Sequence, residues 1–175
     1  AQWHKALGLL LDMRLRLVEP NVRTYNAAVS ACEKSAQWHG ALGMFSDMRL
    51  HFVEPNVITY NAAISACEKG TQWHIAFALL RNMQRFRLDP DVISYNAAIS
   101  ACEKTARWPE ALGRLAEAYR LQLELDVISH NAAMSACEKA ARWQEALDCL
   151  AEAQRRRFEM NVISYNAAIS ACEKG

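Results

Sequence analysis

One nonapeptide limits what this chain can fold into. Asn-Ala-Ala-Ile-Ser-Ala-Cys-Glu-Lys occurs five times, beginning at Asn26, Asn61, Asn96, Asn131 and Asn166, each copy 35 residues after the last. Only its fourth residue changes, through Val29, Ile64, Ile99, Met134 and Ile169. A fixed period of this length marks a solenoid, in which each unit buries its apolar face against its neighbours. The 175 residues hold five periods, so the core is predicted to be a continuous strip rather than a ball.

Two helices fit into each period. The first residues, 1–14, read as one helix with Trp3, Ala6, Leu7, Leu10 and Met13 at helical spacing. The same stripe returns as Trp38, Ala41, Leu42, Phe45 and Met48, and again behind Trp73, Trp108 and Trp143. This is helix B, and its tryptophans are expected in the core or between repeats. Pro109 falls in the first turn of its copy, where a missing N–H costs nothing. Connectors such as Val53-Glu54-Pro55-Asn56 break the helix at proline. The last two connectors, ending Leu125-Asp126 and Met160-Asn161, lack proline and are expected to be looser. Helix A follows, with Thr24, Thr59, Ser94, Ser129 and Ser164 expected as N-caps. Its apolar face is Tyr60, Ala63, Ile64 and Cys67 in the second copy, and His130 replaces the tyrosine once. The order is B, four A–B pairs, then A, with no internal linker; neither end reads as a capped repeat, as in a segment of a longer array or one whose ends are covered by partners.

The composition excludes several function classes. Twenty basic and 19 acidic residues leave a net charge of +1, without the basic excess usual for nucleic-acid binding. Five of the six cysteines recur at the period, Cys32, Cys67, Cys102, Cys137 and Cys172. Equivalent positions in stacked helices sit about 8–10 Å apart, whereas disulfide Cα atoms must lie within about 7 Å. Buried structural thiols and a reducing compartment are the expectation. No CxxC pair exists and His4, His39 and His74 stand one to a repeat, so neither a metal nor a cofactor is expected. No apolar run approaches the ~18–20 residues of a membrane span. No nucleophile arrangement, Gly-rich phosphate loop or deaminase-type His-x-Glu with CxxC is present, so the chain reads as a non-enzyme.

The 35-residue period, the Val-x-Thr/Ser-Tyr-Asn opening, the Ala-Leu of helix B and the Pro-Asn/Asp close resemble the pentatricopeptide repeat family over the whole chain. Tetratricopeptide repeats differ in their 34-residue period and their Trp-Leu-Gly-Tyr pattern. The Ala-Ala-Ile-Ser-Ala-Cys-Glu-Lys wording looks like an algal or protist variant. The resemblance implies an all-α fold, a right-handed α-α superhelix of 35-residue helix-turn-helix repeats forming one solenoid over residues 1–175. Complete repeats would be 22–56, 57–91, 92–126 and 127–161, with partial repeats at 1–21 and 162–175.

The family binds single-stranded RNA at about one base per repeat. By resemblance, the fifth and last residues of each repeat read the base: Asn26 with Asn56, Asn61 with Asp91, Asn96 with Asp126, Asn131 with Asn161, and Asn166 in the last partial repeat. The residues packing on the base would be Arg23, Ile58, Ile93, Ile128 and Ile163. The chemistry of the pairs is consistent with this. An amide both donates and accepts, whereas a carboxylate only accepts. Asp91 and Asp126 should therefore favour uracil, with its N3–H, and Asn56 and Asn161 should tolerate cytosine. The implied target is a pyrimidine tract, roughly C/U-U-U-C/U.

Helical spacing puts Glu33, Glu68, Glu103, Glu138 and Glu173 on nearly the same stripe as the asparagines, with serines such as Ser65 beside them. Lys34, Lys69, Lys104, Lys139 and Lys174 follow about 100° further round. They are candidate phosphate contacts, or partners that neutralise the glutamates. The run Arg155-Arg156-Arg157 reads as a solvated helix end. Two functions are left standing. One is a reader of pyrimidine-rich single-stranded RNA in an organelle, chloroplast or mitochondrion, as the resemblance implies. The other is a scaffold whose solenoid surface clamps protein subunits of a large organellar assembly, which the neutral charge and acidic stripe favour.

Overall fold

The computed structural model describes residues 2–175. Among them are ten α-helices and no strand. In order they are α1 (Gln2–Leu15), α2 (Val22–Lys34), α3 (Trp38–Leu50), α4 (Val57–Lys69), α5 (Trp73–Arg85), α6 (Val92–Glu103), α7 (Trp108–Arg120), α8 (Val127–Lys139), α9 (Trp143–Arg155) and α10 (Val162–Lys174). Even-numbered helices carry the nonapeptide, and odd-numbered ones from α3 onward open on tryptophan. The chain divides into two compact units, α1–α5 up to Pro90 and α6–α10 from Asp91.

Each helix A starts three residues earlier than the hydroxyls suggest. The N-caps are Asn21, Asn56, Asp91, Asp126 and Asn161, all in extended conformation. Thr24, Thr59, Ser94, Ser129 and Ser164 are the N3 residues instead. The side-chain oxygen of each cap accepts the N3 backbone N–H, as from Thr59 to Asn56 at 3.1 Å and from Ser129 to Asp126 at 3.1 Å. In α2, α4, α6 and α10 the N3 hydroxyl accepts the cap's own N–H in return. The pattern is a capping box with a hydroxyl where glutamate is usual. The correction has a simple cause: a carboxamide or carboxylate reaches the N3 amide better placed than a shorter hydroxyl one turn in, and the caps at 21, 56 and 91 follow a proline that already holds the chain out of the helix.

Within the first unit α2 packs on α1, α3 and α4, and α4 on α3 and α5; within the second, α8 packs on α6, α7, α9 and α10. The A helices thus lie side by side. Among the described residues, no two B helices of a unit approach as closely. Alanine is the reason. Tyr60, Ala63, Ile64 and Cys67 form the anticipated face of α4, but Thr59, Ala62 and Ala66 are buried as well. These three lie at i, i+3 and i+7, a second stripe of small side chains that lets α4 come close to the preceding A helix, α2. The same set is buried in α6 and α8. Cys32, Cys67, Cys102, Cys137 and Cys149 are buried free thiols, and Cys172 is exposed.

The tryptophans bind neighbouring repeats together. A Cβ at Gly70 would fall 2.2 Å from Trp38 Cδ1, so the indole of α3 lies directly on the C-cap of α4. Trp143 of α9 lies on Gly175 in the same way, and Arg142 sits 4.6 Å over the Trp108 ring. Helix ends close through left-handed residues that are not glycine: Ala36, Thr71, Ala106 and Ala141 after A helices, and Leu17, Phe52, Arg87, Gln122 and Arg157 after B helices. The next N–H then reaches back over the last turn, as Gln37 does to the Cys32 carbonyl at 2.9 Å and Val53 to Met48 at 3.0 Å.

Candidate nucleic-acid interface

The stacking of A helices brings together residues that are 30 apart in sequence. The fifth residue of one repeat lies on the second turn of its A helix, and the last residue caps the next A helix. In the first unit Asn26 Nδ2 donates to Asn56 Oδ1 at 3.3 Å. In the second, Asn96 Nδ2 donates to Asp126 Oδ1 at 3.3 Å, and Asn131 Nδ2 to Asn161 Oδ1 at 3.4 Å. Three of the anticipated pairs are therefore real neighbours. Asn61 and Asp91 belong to different units, Asn61 on α4 and Asp91 at the cap of α6, where Ser94 N–H donates to it at 2.9 Å. Asn166 is exposed on α10.

Capping decides which atom each pair leaves free. A backbone N–H can only donate, so the Asn56 atom facing Thr59 N is its oxygen, and its Nδ2 is turned away from the cap. Asn161 is fixed identically by Ser164 N at 3.2 Å. At Asp126 one oxygen, Oδ1, receives Ser129 N–H and Asn96 Nδ2 and lies 3.1 Å from the Ser129 hydroxyl oxygen, which leaves Oδ2 for another donor. The last position thus offers a donor at Asn56 and Asn161 and an acceptor at Asp126. The fifth position is fixed in turn. Its Nδ2 faces the cap oxygen, and its Oδ1 takes a hydroxyl from the N3 residue of the next helix: Thr59 to Asn26 at 2.6 Å, Ser164 to Asn131 at 2.6 Å, and Ser129 to Asn96. In Asn26, Asn96 and Asn131 these two bonds leave the second Nδ2 proton unused. Sequence reasoning missed this hydroxyl link; its signal was an Asn or Asp always three residues before a Thr or Ser, a cap-to-N3 spacing.

Exposed apolar side chains recur in the first turn of the A helices. Ile58, Ile93, Ile128 and Ile163 are 60, 62, 58 and 64 % exposed, at the second position of their A helices. Arg23, exposed, takes that place in α2. Three glutamates of the acidic stripe are compensated. Lys69 pairs with Glu33 at 2.6 Å, Lys139 with Glu103 at 2.9 Å and Lys174 with Glu138 at 2.8 Å, each lysine reaching the glutamate of the preceding repeat. Ser135 adds a hydroxyl to Glu103 at 3.2 Å. The arginine run is engaged locally: Arg156 and Arg155 pair with Glu152 at 2.7 and 3.3 Å, and Arg156 lies 3.6 Å over the Tyr119 ring.

Comparison with known proteins places this arrangement. The PPR repeat family model matches residues 20–69 and 55–104, and the pentatricopeptide repeat domain model matches residues 115–174. No curated protein matches the sequence. The chain is similar to the maize pentatricopeptide repeat protein PPR10, at 25 % identity over 99 % of this chain and 25 % of that one, with a TM-score of 0.75. It is equally similar to PPR10 in complex with an 18-nt psaJ RNA element, at 25 % identity over 97 % of this chain and TM-score 0.78. The chain thus spans about a quarter of the PPR10 chains it matches. The fold alone is shared with the PPR domain of Arabidopsis thaliana protein-only RNase P 1 in complex with tRNA, at 15 % identity, 98 % of this chain, 91 % of that one and TM-score 0.84.

Proposed function

The chain belongs to the pentatricopeptide repeat family, and from that premise we propose that it binds single-stranded RNA, one base to each repeat, with a preference for pyrimidines. PPR10, the structural relative at 25 % identity, has been captured with an RNA element. The observation that carries the reading here is the state of the capped pairs. Asn26, Asn96 and Asn131 each present one amide proton, suited to a pyrimidine carbonyl. Among the last residues, Asp126 presents an acceptor and Asn56 and Asn161 a donor. Uracil carries a donor at N3 and cytosine an acceptor there, so Asp126 selects uracil while Asn56 and Asn161 accept cytosine. The exposed isoleucines supply apolar surface for the base faces, and Arg23 offers its planar guanidinium for stacking. The family's usual setting makes an organelle the working place of such a protein.

The test is competition binding of short RNAs at low salt, varied one nucleotide at a time. Asp126→Asn keeps a side chain that caps α8, as Asn56 does for α4, and exchanges the free acceptor for a donor. The preference at that nucleotide alone should move from uracil toward cytosine. An unchanged preference would overturn base reading by the pair. An absence of RNA binding at low salt would leave the surface to protein partners, the scaffold function.

A further inference from the structure

The base-reading pairs account for two residues of a three-residue device. Thr59, Ser129 and Ser164 are fully buried. Each stands where its hydroxyl touches both members of the pair next to it. Thr59 Oγ1 lies 3.0 Å from Asn56 Oδ1 and donates to Asn26 Oδ1 at 2.6 Å. Ser164 Oγ lies 3.2 Å from Asn161 Oδ1 and donates to Asn131 Oδ1 at 2.6 Å. Ser129 bridges Asp126 and Asn96 in the same manner. A hydroxyl has a single proton. In α4 and α10 its lone pair is taken by the N–H of the cap residue, at 3.1 and 3.2 Å, so the proton goes to the nearer acceptor, the fifth asparagine of the preceding repeat.

This bond does what the Asn–Asn or Asn–Asp contact alone does not. A carboxamide is nearly symmetric in shape, and a half-turn about its last torsion exchanges O for N at small steric cost. The cap oxygen accepts from Nδ2, and the N3 hydroxyl donates to Oδ1. With both partners in place, a flipped amide would set oxygen against oxygen and N–H against O–H. We infer that Thr59, Ser129 and Ser164 are positioning residues for base discrimination: each buried hydroxyl locks the carboxamide of the preceding repeat's fifth asparagine so that only a donor faces the nucleotide. The inference rests on the RNA-reading proposal for its consequence, but the lock itself is a property of the free protein.

Ser129→Ala removes the hydroxyl from one site and leaves Asp126 capping α8 through the Ser129 N–H. Ser129→Thr restores it, as Thr59 shows. Binding is measured for RNAs with uracil, cytosine or adenine at the nucleotide opposite Asn96 and Asp126, and separately at the one opposite Asn131 and Asn161. The alanine variant should lose roughly ten-fold of its discrimination at the first nucleotide, the low end of what a well-placed hydrogen-bonded base contact gives. It should keep its discrimination at the second, and the threonine variant should keep both. Equal weakening for every RNA would show a merely structural role and overturn the inference, as would unaltered discrimination. A second measurement needs no RNA. The Asn96 side-chain amide, followed by NMR in the free chain, should hold one orientation in the parent and in Ser129→Thr, and average in Ser129→Ala. A rigid Asn96 in the alanine variant overturns the lock. A parent that binds RNA without base preference, while its Asn96 remains fixed, overturns the RNA-reading proposal instead.

Discussion

His130 stands where the other A helices hold tyrosine, and the residue opposite it has changed with it. Tyr25 and Tyr165 meet Arg14 and Gln154, eleven residues earlier, whereas His130 meets Tyr119 at 2.7 Å. Its tautomer follows from one contact: Nδ1 lies 3.2 Å from the Asp126 carbonyl, which only accepts. Nδ1 therefore carries the proton and Nε2 accepts from the tyrosine. The ring is wholly buried, with Phe158 at 4.8 Å and the Arg156 guanidinium over the ring of its partner Tyr119. Burial above all pushes the imidazolium pKa below its usual 6.5, the positive charge of Arg156 adding to it against the pull of the Asp126 carbonyl, Glu152 and Asp126. The unfolded chain thus takes the proton first. The contribution to stability is present above about pH 6.5 and is lost as the pH falls below it, by up to about 1.4 kcal/mol per pH unit. In urea titrations at pH 7 and pH 5.5, His130→Phe should show a smaller fall in stability between the two pH values than the parent, whatever its stability at pH 7. Equal falls would mean that His130 is protonated inside the fold.

At the scale of the helix, the ends carry the most improvable energy. Thr71, φ 57°, is the one β-branched residue among the left-handed positions that close the helices. The left-handed conformation costs an L-residue about 1–2 kcal/mol, and most where Cβ is branched. Glycine escapes that cost and loses roughly 0.4–1 kcal/mol through a freer unfolded chain. Thr71→Gly should therefore stabilise the chain by about 0.5–1 kcal/mol, read as a higher urea midpoint at unchanged slope. A lower midpoint would show that the Thr71 hydroxyl bond to the Gly70 carbonyl, 2.7 Å, outweighs the backbone strain. These ends also mark where the sequence was legible and where it was not. The period and the helical stripes of Trp38-Ala41-Phe45-Met48 and Tyr60-Ala63-Ile64-Cys67 place both helices of the repeat, because apolar periodicity is set by burial. The hydroxyls place the start of each A helix three residues late, because Thr59 and Asn56 are both good caps and only geometry decides between them. The ends gave no glycine signal: Gly70 is at the C-cap with φ −85°, one residue before the left-handed position. The second, alanine-lined face could not be told from ordinary helix-forming alanine. The candidate pairs came from resemblance to a family; that Asn56 and Asp126 are caps, with one free group each, required the structure.

For the whole molecule, the question is how a chain with a net charge of +1 would hold a polyanion. Attraction for RNA depends on cations free to release counterions from phosphate. Five lysines stand at the period, and three of them, Lys69, Lys139 and Lys174, are engaged by Glu33, Glu103 and Glu138 within their units. Exposed pairs of this kind are individually weak, at about 0–1 kcal/mol, yet a phosphate would have to displace the carboxylate and leave it uncompensated beside the RNA. Were all five lysines to grip phosphates, the logarithm of RNA affinity would fall with the logarithm of salt at a slope of about −3.5, at 0.7 per phosphate on a single strand. With the ladder closed, the parent should show less than half of that, its affinity resting more on base contacts. Opening the ladder by Glu33→Gln, Glu103→Gln and Glu138→Gln together frees three lysines, and the slope should steepen by about 2. Fluorescence titrations from 20 to 200 mM salt would read both slopes. A parent slope already near −3.5, or a triple variant with no steepening, would mean that the glutamates do not restrain the lysines and that the ladder serves only to align neighbouring repeats.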